Sequence, residues 1–384
     1  MRNRMRRLGV AAGAVSLSLM MVSAGAAHAA PSAPQSLAAA GSDTTFFMMG
    51  PISAHYQASA QNKFHDKITQ IPPVNVSPFP TSVTVPADGV HPAFTWDSLS
   101  PAGTPPNGSG AGITALLNDT TGQIAFARSS RGPNPGETAK LNFWAYALGA
   151  VDYVTFPGTD APAKGLTQAQ IIGIYTCSAS THIPTITDWS QVGGRPGGIV
   201  KYAPQAGSGT LSFFQTKLLN GASVDQNCDA SHLSTRLQEH DARSVTSVSF
   251  QNAIYMYDWG KWRAQKGHFE PDLTNGSALG AYGVTTPVTP SATTVNEGKN
   301  RYTATRYLYN VVKKTAHPGT AKNQFNAVTN FIGVFGKTQG GAGYICAGRA
   351  KADITKAGFV PLGLFGSGGT GLPSSFCRLN PKAL

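Results

Sequence analysis

"QAGSGTLSFFQTKLLNG", residues 205–221, sets three small residues and a threonine directly ahead of an amphipathic segment. One hydroxyl is enough to cap a helix, and glycine at that point adds backbone freedom that folding must remove. Two readings of Gly207, Ser208, Gly209 and Thr210 follow. One is a tight turn that happens to be polar; the other is a seat in which N–H groups and hydroxyls at a helix N-terminus hold an anion. The segment behind it carries Leu211, Phe214 and Leu218 on one face and stops at Asn220-Gly221, a helix-ending pair.

The theme recurs along the chain. "GSDTTF" (41–46) and "NGSGAGI" (107–113) also place small and hydroxyl residues before apolar helical spacing, and "FARSSR" (126–131) closes a short apolar run with a polar loop. Strands that feed glycine-rich loops opening helices are the pattern of α/β architecture, where ligands gather at the carboxyl ends of strands. Around these loops, "GGIVKYAPQ" (197–205), "NAIYMYDWGKW" (252–262) and "TATRYLYNVVKK" (303–314) read as strands, the second running into a helix. "NFWAYALGAVDYVTFPG" (142–158) is a long apolar run suited to crossing between two lobes. Thr167 and Gln170 in "GLTQAQIIGIYTCS" occupy capping-box positions. The Pro-rich stretch 71–106 reads as extended chain, and "NQFNAVTNFIGVFG" (323–336) as a C-terminal helix. Trp189, Tyr255, Tyr257, Trp259 and Trp262 read as core.

The first 30 residues have the form of a secretory signal peptide. Arg2, Arg4, Arg6 and Arg7 precede an apolar run from Leu8 to Val22 and a small-residue cleavage site at Ala29 or Ala30. The remaining chain of about 350 residues suits two lobes better than one core. The formal charge is +12, and loss of the four leader arginines leaves +8. With 12% charged residues and no dense Lys/Arg run, nucleic acid is an unexpected partner, and no later stretch is apolar enough for a membrane span. Four cysteines in an oxidising compartment predict two disulfides, and Cys177–Cys228 with Cys346–Cys377 keeps each pair within one expected lobe. A rival reading joins Cys177, Cys228, His182 and His232 into a loose metal set, although the spacing is not that of a zinc finger.

In order, "GSDTTF", "NGSGAGI", "FARSSR", "GLTQAQIIGIYTCS…ITDWSQVGG", "GSGT" and "QEHDARSV…NAIYMYDWGKW" resemble the substrate-binding proteins of phosphate-specific ABC transporters. The resemblance runs from about residue 40 to 315. It implies an α/β fold of the type 2 periplasmic-binding-protein kind: a signal peptide at 1–30, lobe I from 38–146 and 304–384, and lobe II from 147–303. Two crossover strands would join the lobes, with a ligand cleft between them. The oxyanion contacts it implies are Thr45 with Thr44 beside it and the Phe46 amide, then Ser109 and Gly110, then Ser129, Ser130 and Arg131, and finally Ser208, Gly209 and Thr210.

Two departures stand out. Pro204 and Ala206 occupy the places of the family's arginine and aspartate, and Ser130 or Arg131 replaces the carboxylate that accepts the proton of hydrogen phosphate. Asp43 and Arg131 are the candidate substitutes. The resulting expectation is a secreted, monomeric, non-catalytic protein that takes phosphate or a similar oxyanion, needs no cofactor or metal, and has an ABC transporter permease as a candidate partner. The alternatives are an extracellular phosphate-ester hydrolase on the same scaffold, or an envelope protein that has lost its ligand. A nucleophilic Ser208 would need a base from His182, His232 or His240, and "GSGT" is not the elbow motif of serine hydrolases.

Overall fold

The computed structural model describes residues 34–74, 77–89, 91–97, 105–177, 182–314, 321–333, 335–336, 339–340, 343–362 and 377–384. The signal-peptide reading at 1–30 lies outside them. Elements follow in the order β1 (Ser36–Gly41), α1 (Phe46–Ala58), β2 (Lys67–Gln70), β3 (Ser82–Val85), β4 (Phe94–Asp97), α2 (Ser109–Asn118) and β5 (Ile124–Ser129). Next come α3 (Glu137–Lys140), β6 (Leu141–Thr155), β7 (Leu166–Thr167), α4 (Gln168–Thr176), β8 (Val200–Pro204), α5 (Gly209–Lys217) and β9 (Thr235–Leu237). Then β10 (Ala253–Asp258), α6 (Trp259–Lys266), β11 (Ala278–Leu279), β12 (Tyr282–Gly283), β13 (Thr305–Lys313), α7 (Ala321–Phe331) and α8 (Lys351–Lys356) follow.

The main sheet runs β2-β1-β5-β13-β6-β10-β8-β9. Pairing is parallel among β2, β1 and β5 and among β10, β8 and β9, and antiparallel where β13 and β6 join these groups. The long apolar run becomes β6, buried along its length apart from a half-exposed Asn142, as a strand covered on both faces requires. Its first part pairs with β13, from Leu141↔Lys313 to Ala150↔Thr305; its last part pairs with β10, from Val151↔Asp258 to Thr155↔Ile254. One strand therefore serves both parallel groups and brings the end of β10 beside the start of β13.

Local chemistry fixes the starts of the helices. Thr167 and Gln170 form the capping box of α4, Ser208 Oγ accepts from Leu211 N at 3.0 Å to cap α5, and Asp258 Oδ1 accepts from Lys261 N at 2.9 Å to cap α6. Trp189, Tyr255, Tyr257 and Trp259 are buried, and Trp262 is part-buried with its indole N–H on Ser277 O. The Pro-rich segment contributes only the antiparallel pair β3–β4 among the described residues. Cys177–Cys228 and Cys346–Cys377 are both bonded. That removes the thiolates the metal reading of Cys177 and Cys228 needed.

Candidate functional site

Four loops far apart in sequence meet. Gly110 N donates to Gly207 O at 3.1 Å, so the turn before α2 touches the turn before α5. Gly108 is required at this contact: its φ is +95°, and a Cβ there would overlap the Gly207 carbonyl. Asn107 links the same turns, accepting from Gln205 Nε2 at 2.8 Å and donating to Gln238 Oε1 at 2.9 Å. Ser109 Oγ accepts from Ser130 N at 2.9 Å and lies 3.2 Å from Ser130 Oγ, which joins the end of β5 to the start of α2. Gly209 lies against both serines so closely that a side chain would overlap their hydroxyls.

At the centre lies Arg306 on β13. Its guanidinium donates to Ser130 O at 2.9 Å, Thr210 Oγ1 at 2.8 Å, Asp258 Oδ2 at 2.8 Å and, at 3.4 Å, Thr44 Oγ1. The register explains the pairing with Asp258, because Arg306 stands opposite Gly149 and Asp258 opposite Val151 on neighbouring strands of β6. Gly149 leaves room for it: a Cβ would meet Asp258 Oδ2 at 3.1 Å.

Beside Arg306 lies a carboxylate. Glu239 Oε1 accepts from Thr44 Oγ1 and from Thr210 N, each at 3.2 Å. Its main chain is fixed, with Glu239 N donating to Gln205 Oε1 at 2.7 Å and Tyr255 OH donating to Gln238 O at 2.8 Å. His240 follows with Nε2 3.2 Å from Thr210 Oγ1 and Nδ1 3.5 Å from Asp43 Oδ2. Lys261 Nζ stands 2.6 Å from Glu270 and 3.6 Å from Asp43. Burial would raise the Asp43 carboxyl, but Lys261 and His240 hold it below the usual range. Burial would lower Lys261, and the Glu270 and Asp43 carboxylates carry it above its ordinary value. Glu270 itself is raised by burial.

The residues named from the sequence divide into two groups. Thr44, Ser109, Ser130, Gly209 and Thr210 come together around Arg306 and Glu239. The others serve their own loops. Ser208 Oγ caps α5, Gly110 N holds Gly207 O, and Phe46 N closes a turn on Asp43 O. Ser129 Oγ donates to Arg131 O and accepts from Arg131 N. Thr45 is buried beside Tyr146. Arg131 forms a two-pronged pair with Glu137, both bonds 2.8 Å, and donates to Gly132 O. Its charge is thus committed to α3, and the arginine that touches Thr44, Ser130 and Thr210 is Arg306.

Sequence reading passed over Arg306, Asp258, Lys261 and Glu239. A usable signal existed for the arginine, since a lone charge inside the apolar run "TATRYLYNVV" must find a buried partner. "QEHD" drew notice for His240 and Asp241, but Asp241 pairs outward with Arg243, and the inward carboxylate is Glu239.

A family model described as a PBP superfamily domain matches residues 29–335. A search of curated proteins finds no match. Among solved structures, the chain is similar to an ABC-type phosphate transport receptor from Vibrio cholerae: 17% identity, 84% of this chain and 99% of that one covered, TM-score 0.52. It is also similar to a structure with bound phosphate from Clostridium perfringens, assigned as a phosphate ABC transporter substrate-binding protein: 16% identity, 85% and 99% covered, TM-score 0.50. At such identities these likenesses speak for the fold, a mixed α/β architecture around one curled sheet. With its match spanning most of the sequence, the chain belongs to the PBP superfamily, the periplasmic-binding-protein fold.

Proposed function

We propose that this protein is a non-enzymatic solute-binding protein for phosphate or a closely related oxyanion, working outside the cytoplasm for an ABC transporter or in phosphate scavenging. One observation carries the reading. Hydroxyl and amide donors from separate segments, Thr44 Oγ1 and Thr210 N, already share one carboxylate oxygen beside a buried arginine. A set of donors that holds one oxyanion in this way suits another, since charge-assisted hydrogen bonds contribute roughly 1.5–3 kcal/mol each. The two structural relatives that are described by phosphate support the choice of ligand. Two disulfides favour an oxidising compartment, and among the described residues no helix is long and apolar enough to cross a membrane. The loops of residues 44, 109 and 130 already touch those of 210 and 239, the contact that a lobe closure about β6 and β13 would make.

The hydrolase alternative has its nearest support in the chain Thr210–His240–Asp43. Against it, Thr210 Oγ1 also accepts from Arg306, and the same His240 nitrogen lies 3.8 Å from Glu239. The ring is thus held within a polar network rather than behind a free nucleophile. Titration calorimetry with inorganic phosphate, sulfate and glycerol phosphate, alongside a phosphate-release assay, tests the reading. Saturable heat with phosphate and no turnover is expected. Silence with all three anions, or release of phosphate from the ester, overturns it.

A further inference from the structure

We propose that Glu239 is a tethered competitor: a carboxylate of the chain itself that occupies the oxyanion seat and that an incoming anion must displace. The inference rests on the oxyanion-binding reading. Glu239 Oε1 takes the Thr44 hydroxyl and the Thr210 amide, so those donors cannot serve a second anion at full strength while it is in place. Its other oxygen, Oε2, is buried without a hydrogen-bond partner, and the side chain is 0% exposed. The surrounding cations are already committed. Arg306 is paired with Asp258, and Lys261 lies between Glu270 and Asp43. Among the described residues Glu239 has no lysine or arginine within ion-pair distance, and it is held by hydroxyl and amide donors beside His240.

A buried carboxylate with one unsatisfied oxygen and no cation is the anion of this cluster that is most easily exchanged. Because the main chain on both sides is anchored by Gln205, Tyr255 and Tyr257, exchange means rotation of one side chain and not movement of the loop. Being intramolecular, the competitor is present at all times, and it weakens every anion that uses these donors. An anion enters when it gains more from Thr44 and Thr210 than Glu239 does.

The test is titration calorimetry of wild type, Glu239→Ala and Glu239→Gln with inorganic phosphate and with sulfate, with near-ultraviolet circular dichroism to confirm the fold. Removing the competitor is expected to tighten both anions by about tenfold or more in the alanine variant. The glutamine variant, which keeps the shape and loses the charge, is expected to lie between that and wild type. It decides the matter if the alanine variant does not fold. Phosphate binding that is unchanged or weaker in the variants overturns the competitor role while leaving the proposed function standing, and it would make Glu239 a partner of the ligand. No binding of either anion by any of the three proteins overturns both.

Discussion

Arg306 Nη2 on β13 donates to Thr210 Oγ1 at the start of α5 at 2.8 Å, across 96 residues of sequence. The same nitrogen holds Asp258 at 2.8 Å, and both charged groups are at most 1% exposed. An ion pair so deeply buried is costly to break from one side, because the survivor stays charged and shielded from bulk solvent. Arg306→Met is therefore expected to lower unfolding free energy by about 3–5 kcal/mol. Adding Asp258→Asn should restore part of the loss. Urea unfolding of the two variants checks this, and equal stability of the single variant and wild type would show the pair to be dispensable.

Thr210 supplies two groups to the same place, its amide to Glu239 and its hydroxyl between Arg306 and His240. Thr210→Val keeps the amide and the volume and removes only the hydroxyl. Phosphate affinity should fall by about tenfold or more, since one hydrogen bond to a charged oxygen is lost. The variant should still fold, and titration calorimetry reads the result directly.

How much of this was legible in the sequence depends on which groups were local. Capping boxes, glycine turns and the buried crossing strand follow from neighbours within a few residues, and the structure has them at Thr167, Ser208 and along β6. The meeting of Thr44, Ser109, Ser130 and Thr210 followed only from the family resemblance, because no local rule brings position 44 to position 239. Arg131 and Arg306 show the limit. Both stand beside short apolar runs, yet one finds Glu137 six residues away and the other finds Asp258 through the register of β6. Sequence distance hid the second pair.

Two buried aspartates should pull stability in opposite directions with pH. Burial raises Asp152 well above its ordinary 3.8, with the N–H of Tyr153 only partly offsetting it. Its contribution is therefore present below pH 3.8 and lost as pH rises through the folded value. Asp43, held low by Lys261 and His240 against the effect of burial, contributes fully above 3.8 and loses that contribution as pH falls through its folded value. Asp152→Asn should thus raise the melting temperature at neutral pH, with the gain shrinking toward pH 3.8. Asp43→Asn should lower it at neutral pH, with the deficit shrinking on acidification. Thermal unfolding followed from neutral pH down past 3.8 checks both signs.

The two disulfides close loops of 51 and 31 residues. Loop-closure entropy assigns about 4 kcal/mol to each. Reduction, or Cys177→Ser with Cys228→Ser, should lower the denaturation midpoint clearly, and peptide mapping without reduction should recover the pairs Cys177–Cys228 and Cys346–Cys377. Lys201 Nζ lies 3.3 Å from one sulfur of the first bond and 3.2 Å from the other. Its ammonium would stabilise a thiolate leaving group. Cys177–Cys228 should therefore be reduced faster in wild type than in Lys201→Met, which timed alkylation and mass spectrometry can follow.

Gly209 offers the most direct test that the loops must touch. A Cβ at this position would overlap the hydroxyls of Ser109 and Ser130 and stand 3.0 Å from Ser109 Cβ. Ser109 cannot swing aside freely, because its hydroxyl accepts Ser130 N at 2.9 Å, so the clash falls on the junction between α2, the end of β5 and α5. The helix itself tolerates alanine better than glycine by about 1 kcal/mol. Each flanking helix should therefore survive while the contact between them opens. Gly209→Ala is expected to keep its far-ultraviolet dichroism, and its phosphate binding should weaken by tenfold or more, about 1.4 kcal/mol for each factor of ten. Because opening the junction would also pull Thr210 N away from Glu239, Glu239→Ala should tighten phosphate binding less in the Gly209→Ala background than in wild type. Additive effects of the two substitutions would show that the junction and the carboxylate act separately.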